Sequence, residues 1–277
     1  MTATLAPVPA NRWPRRLVAA LAAALLLVGV EGFRHPPPLP APRASLPAPL
    51  GGAAAGAVKL VAQGHLPVPP DMPSAHASNL LAMPVGQPCA LLAFWFAGTR
   101  ESAPDVQIVS SCLERGNGQW RPAHVVANRH AFGAELGMGL RRLGNPVSWR
   151  DGQGRVHLFV VATGLGGWAA SRIVHLTQSD DGREPGALAF GKPQLLPLSW
   201  LWNKSMLVRA VPMPLQDGGM LLPVYFELSV KYPMALRFDA SGSFLGSMRL
   251  SQRRHILQPN LLPLDESRWL ALMRDNR

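Results

Sequence analysis

Apolar and polar residues alternate in short runs over most of this chain, and the runs fall into a unit that recurs four times. The clearest copy spans Lys204 to Glu227: N-K-S-M-L-V-R-A-V-P-M-P, then a turn at Asp217-Gly218-Gly219, then M-L-L-P-V-Y-F-E. An Asp-Gly pair between two apolar runs is a strong hairpin signal, because the turn needs a left-handed backbone that glycine adopts freely. His76 to Glu101, Asn145 to Trp168 and Gln258 to Arg274 repeat the plan. Their second strands, A-L-L-A-F-W-F, V-H-L-F-V-V-A and W-L-A-L-M-R, read as one recurring element. A hairpin returning every ~50–65 residues, with no helical period between copies, predicts stacked or radially arranged sheets.

The N-terminal stretch breaks this pattern. Arg12, Arg15 and Arg16 precede a charge-free run from Leu17 to Val30. Such a run suits the core of a signal peptide or a short positive-inside anchor. Residues 1–34 are therefore expected to form a signal peptide or membrane anchor helix, which takes the remainder out of the cytoplasm. Residues 35–57, which include H-P-P-P-L-P-A-P, predict a semi-rigid polyproline spacer. The β domain is expected over 58–277.

Composition adds a sign. The 277 residues carry a net charge of +11, which attracts anionic partners. No Lys/Arg run, zinc spacing or helix-turn-helix pattern points to nucleic acid. No metal-ligand spacing, phosphate loop or dinucleotide fingerprint points to a metal or cofactor. The two cysteines, Cys89 and Cys112, flank the first hairpin. A turn centred on Gly98–Pro104 sets them opposite one another, within disulfide reach in an oxidising compartment. A one-residue slip would part them as two buried thiols.

Candidate chemistry follows from the hairpin plan. The start of each first strand and the end of each second strand share an edge of the sheet. His76 is thereby expected beside Arg100 and Glu101, Lys204 beside Glu227 to Lys231, and Gln258 opposite Arg274. Asn145 faces the stretch before Trp168, an indole suited to stacking on a sugar. If the hairpins fan about one axis, these residues meet at one mouth, together with Asp105. Carboxylates among cations are what cleavage of an anionic sugar requires. Glu101 and Asp105 are the acid/base candidates, with His76, Arg100, Asn145, Lys204, Glu227, Lys231, Gln258 and Arg274 as substrate contacts.

Several segments resemble the bacterial BNR-repeat, sialidase-like six-bladed β-propellers. They are H-A-S at 76–78, F-W-F-A-G-T-R-E-S-A-P-D-V-Q-I at 94–108, G-N-P-V at 144–147 and V-A-T-G-L-G-G-W-A at 160–169. N-K-S-M-L-V-R at 203–209, L-L-P-V-Y-F-E at 221–227 and L-Q-P-N-L-L-P-L with A-L-M-R-D at 257–275 continue the series. The resemblance implies an all-β, sialidase-like propeller with about three and a half of six blades present, preceded by the N-terminal helix. It implies a glycan-acting hydrolase that cleaves a terminal acidic sugar, or alternatively a non-catalytic glycan- or protein-binding propeller, or an inactive fragment. The partners it implies are an acidic glycan and, through the helix, a membrane; the place is the periplasm or the extracellular space. His76-Ala77-Ser78 stands where sialidases carry the Arg-Ile-Pro that begins their arginine clamp. The tyrosines, Tyr225 and Tyr232, do not fall at the family's nucleophile position. Remnants of its Asp-box turn are expected at Ser179–Gly182 and around Trp120.

Overall fold

The computed structural model describes residues 13–34, 41–47, 59–60, 63–179, 188–199 and 202–277. The chain divides into two units, Met1–Pro40 and Ala41–Arg277. In the first, the apolar run lies within a single helix, α1 (Trp13–Arg34), of 22 residues. Its window Trp13–Val30 is long and apolar enough to cross a membrane.

The second unit is a series of antiparallel sheets. The first sheet is a meander of β1 (Ser74–Ala82), β2 (Cys89–Gly98), β3 (Gln107–Glu114) and β4 (His124–Ala127). A short helix, α2 (Arg129–Leu136), follows, and then the second meander, β5 (Arg142–Arg150), β6 (Val156–Thr163), β7 (Ser171–Thr177) and β8 (Gln194–Leu195). In the third sheet β9 (Met206–Val208) and β10 (Met213–Pro214) share one side of β11 (Met220–Phe226), with β12 (Tyr232–Phe238) and β13 (Phe244–Arg249) beyond it. The last sheet has two strands, β14 (Ile256–Pro263) and β15 (Trp269–Asp275). All four expected hairpins are present.

Burial explains the composition of the strands. β2, β6 and β11 are covered on both faces, so they read as unbroken apolar runs. One core, with Phe94, Leu92, Leu158 and Val160, lies between the first and second sheets. A second, with Val147, Phe159, Val224 and Phe238, joins the second to the third, and a third, with Leu221 and Leu261, joins the third to the fourth. Pro223 sits in the middle of β11, where a missing N–H would weaken a continuous ladder. It pairs with Ala235 on one side and faces the break between β9 and β10 on the other.

Several expectations change. The stretch 121–143, which lacks strand alternation, holds β4 and α2; the Asn128 side chain caps that helix by accepting from His130 N and Ala131 N at 3.1 and 2.9 Å. Residues 41–47, assigned to the proline spacer, belong to the β unit. Ala44 is fully buried, its N–H donates to Glu266 O at 2.8 Å, and Ser45 N donates to Pro214 O at 2.9 Å. An extended segment needs only a free strand edge to join a sheet, and β10 offers one. The expected remnant at Ser179–Gly182 falls mostly outside the described residues. Asp turns occur instead at the hairpin ends. Asp151 Oδ1 accepts from Gln153 N and Arg155 N, Asp239 Oδ1 from Ser241 N and Ser243 N, and Asp265 Oδ1 from Ser267 N and Arg268 N.

Cys89 and Cys112 form a disulfide with Cα atoms 5.5 Å apart. They are not directly opposite, however: Cys112 pairs with Leu92, and Cys89 with Glu114, because a bulge at Ala90 shifts the ladder. The bridge closes a loop of 23 residues, which by loop entropy contributes about 3 kcal/mol. Replacing both cysteines with alanine is expected to lower the urea-unfolding free energy by that amount; a loss below about 1 kcal/mol would mean that the bridge constrains little.

Candidate functional site

The four inner strands share one departure from regular geometry. A non-glycine residue with left-handed backbone stands at or just before the start of each: Ala77 (φ 52°), Asn145 (φ 44°), Ser205 (φ 64°) and Gln258 (φ 50°). In β1, β5 and β14 the pairing register slips at this point, between His76 and Asn79, Gly144 and Val147, and Leu257 and Asn260. Left-handed non-glycine residues cost of order 1–3 kcal/mol each and collect where a fold aims side chains for a purpose. These four mark a common end of the sheets, opposite the Asp turns.

Contacts tie that end together. The His76 ring stacks on Phe96 with centroids 5.4 Å apart. Gly144 leaves room for Trp168, whose ring would lie 3.5 Å from an added Cβ, with Phe96 at 3.8 Å. Ser205 Oγ donates to Ala169 O at 2.5 Å, and Arg172 Nε donates to Asn203 O at 3.0 Å. The Lys204 ammonium sits 5.4 Å from the Trp202 ring centre. Across the third and fourth sheets, the buried Tyr225 bonds the Gln258 side chain, and Glu227, Arg209 and Arg274 act on it electrostatically. Burial, then the Glu227 charge, push the Tyr225 hydroxyl up to about 12. It is a hydrogen-bonding group, not a poised nucleophile.

The structure thus brings His76, Asn145, Lys204, Glu227, Gln258 and Arg274 to one end of the sheets. Lys231 joins them at the start of β12, where its carbonyl accepts from His255 N at 2.8 Å. Arg274 pairs with Leu257 and not with Gln258, which the bulge lifts out of the ladder. His76 pairs with Phe96, so Arg100 and Glu101 lie beyond the strand end, not beside it. Arg100 and Asp105 line an open cleft of about 740 Å³ between the β2–β3 loop and α2, with Thr99, Gln107, Asn128, Arg129 and His130. None of the inner-strand residues lines it, and neither does Glu101. Asp105 accepts from Thr99 N at 2.9 Å and from Thr99 Oγ1 at 3.1 Å. Those bonds, Thr99 N first, hold its carboxyl below the usual range, which favours the ionised form and opposes a role as proton donor. Arg209 and Tyr225 were not among the expected contacts. Alternation along the third sheet places Arg209, Leu207 and Tyr225 on one face, and that signal was in the sequence. Among the described residues no group of three His, Cys, Asp or Glu side chains is arranged to hold a metal ion.

Comparison with known proteins gives the frame. The model of the BNR repeat-like domain matches residues 89–277. The chain belongs to the BNR repeat-like family. This BNR-repeat chain has the fold of the Hadza microbial sialidase Hz136, with a TM-score of 0.59 at 15% identity over 75% of this chain and 43% of that one. A protein of unknown function from Dyadobacter fermentans matches with a TM-score of 0.56 at 12% identity, over 76% of this chain and 64% of its own. The Trypanosoma rangeli sialidase in complex with sialic acid matches at 0.51 and 10% identity, over 73% and 36%. The BNR-repeat chain spans less than half the length of these two sialidases. No curated protein sequence matches it.

Proposed function

We propose that this BNR-repeat chain acts on glycans and that its mouth holds a terminal acidic sugar. The observation that carries the reading is the cluster at the third and fourth sheets, where Arg209 and Arg274 flank the Tyr225–Gln258 bond beside Glu227. Charge distribution supports it. At the opposite ends of the sheets Asp151, Asp217 and Asp265 are each neutralised by an arginine, namely Arg155, Arg237 and Arg268. The mouth keeps Lys204, Lys231, Arg253, Arg254 and Arg274 against fewer carboxylates. Arg274, exposed and at the strand end, would take the sugar carboxylate by charge-assisted hydrogen bonds. Gln258 and Asn145 would meet hydroxyls, and Trp168 the apolar face of a ring. We further propose that α1 anchors the domain to a membrane or directs its export, so that the mouth faces glycans outside the cytoplasm.

Hydrolysis is the second step of the proposal, supported by the sialidases among the structural neighbours. Glu101 is the acid/base candidate that remains, since Asp105 is held ionised. Titration calorimetry with sialyl and uronyl glycosides, alongside release of a chromogenic aglycone, tests both steps. Arg274→Ala is expected to weaken binding 10- to 100-fold, the worth of one charge-assisted contact. Glu101→Gln is expected to abolish turnover and leave binding intact. Unchanged affinity in Arg274→Ala would remove the mouth from the reading; binding without turnover in the unaltered chain would leave a glycan-binding module.

A further inference from the structure

We propose that the outer face and free edge of the β14–β15 hairpin dock a further antiparallel sheet of the same repeat, carried by a partner polypeptide. The inference does not depend on the glycan reading. It rests on a position that can be followed through all four sheets. Two residues after each left-handed residue stand Asn79, Val147, Leu207 and Asn260, and their cross-strand partners are Phe94, Phe159, Tyr225 and Leu272. The first three partners lie under the next sheet and are 0%, 0% and 3% exposed, whereas Leu272 is 52% exposed. The neighbouring pair shows the same contrast. Leu81 pairs with Leu92, which is buried, while Leu262 pairs with Leu270, and both of these are exposed.

A polar group makes the match specific. In the first sheet Asn79 Oδ1 accepts from Ser148 N at 2.9 Å and from Ser148 Oγ at 2.5 Å, and Ser148 lies on the inner strand of the following sheet. Its counterpart Asn260 Oδ1 is buried and has no donor among the described residues. A covered acceptor without a donor is costly and calls for one. An inner strand offering a backbone N–H and a hydroxyl, as β5 does, would supply it. The other sheets carry at least four strands, but β15 has a partner only on the β14 side. Unpaired strand edges recruit strands. The solved sialidases, of which this chain matches 36–43%, carry further polypeptide beyond the matched part.

The probe is a synthetic peptide spanning Tyr232–Arg249, the strand pair that adjoins β11, the third sheet's equivalent of β15. Hydrogen exchange of the full chain in detergent micelles is followed by mass spectrometry with and without it. The peptide is expected to slow exchange over Trp269–Asp275 at least tenfold, and Leu272→Arg is expected to abolish the slowing. Leu272→Gln replaces that variant if its circular dichroism melt shows loss of fold. No slowing in the unaltered chain, or equal slowing in the variant, would overturn the proposal. So would a dimer that Leu272→Arg dissociates, which would assign the face to a second copy.

Discussion

Asp151→Ala is expected to remove roughly 3–5 kcal/mol of stability, the cost of breaking a buried ionic network by deleting one partner. Asp151 is buried, and its carboxylate is fully engaged. Oδ1 accepts from Gln153 N and Arg155 N at 3.0 and 2.8 Å, and Oδ2 from Arg155 Nε at 2.8 Å. Oδ2 also meets His157 Nε2 at 3.0 Å, and His157 Nδ1 meets His175 Nε2 at 2.8 Å. Arg155 reaches on to Ser241 O at 3.0 Å, so the network clasps the second sheet to the third. Urea unfolding at pH 7.5 reads the loss; a change below 1 kcal/mol would show that water replaces the carboxylate at little cost.

The same network sets a pH dependence. Burial, then the nearby His157 charge, lower the His175 pKa to about 3, and burial also lowers that of His157. The unfolded chain takes up those protons near the ordinary histidine value, about 6.5. Below that pH the unfolded state binds more protons than the folded one, so stability falls as pH drops from about 6.5 towards 3. For His175 alone the loss is about 2 kcal/mol between pH 6.5 and 4.5. The groups that face the pair are Asp151, Arg155 and Thr177, with the rings of Trp149, Phe159 and Phe238. His175→Gln is expected to flatten the slope in this window, and a slope unchanged in that variant would place the dependence elsewhere.

Much of the fold was legible because its strands are covered on both faces. A-L-L-A-F-W-F and V-H-L-F-V-V-A leave no polar alternative, and Asp151-Gly152 and Asp217-Gly218 announce their turns. The bulges were not legible. Ala77, Asn145, Ser205 and Gln258 carry no mark of a left-handed backbone, since glycine would be the usual choice. Each bulge moves the register by one, which explains why Arg274 meets Leu257 and His76 meets Phe96. The cysteine pairing survived a similar slip because a disulfide tolerates a diagonal neighbour within reach. The helix α2 had weak signals, an Asn128 cap and a left-handed Gly137, on a segment with little apolar period.

The site was legible in its ends and not in its partition. Hairpin logic placed His76, Asn145, Lys204, Glu227, Gln258 and Arg274 at one end of their strands, because that follows from topology alone. Loop residues follow local hydrogen bonds instead. Asp105 turns back onto Thr99, and with Arg100 it faces α2, an element that strand alternation could not reveal. Tyr225 was set aside for not matching a nucleophile position. Its place opposite Leu207, equivalent to Phe94 and Phe159, makes it a core ring with a polar tip.

Gly242→Ala is expected to cost about 3 kcal/mol or more, for two reasons that act together. Gly242 has φ +81°, where an L side chain is strained by roughly 1–2 kcal/mol. A Cβ there would also stand 2.2 Å from His157 Cε1 and 2.7 Å from Nε2, so the imidazole would have to move. Overpacking of this kind costs typically 1–3 kcal/mol, and here it would also pull His157 off Asp151 and His175. The two reasons separate in a double-mutant cycle. His157→Ala is destabilising by itself, but it vacates the space, so Gly242→Ala in that background should retain only the backbone strain. A coupling energy of at least 1 kcal/mol between the two substitutions, measured by urea unfolding, is the expected result. Strict additivity would mean that the turn carrying Gly242 yields, and that the third sheet is not fixed against the buried histidines.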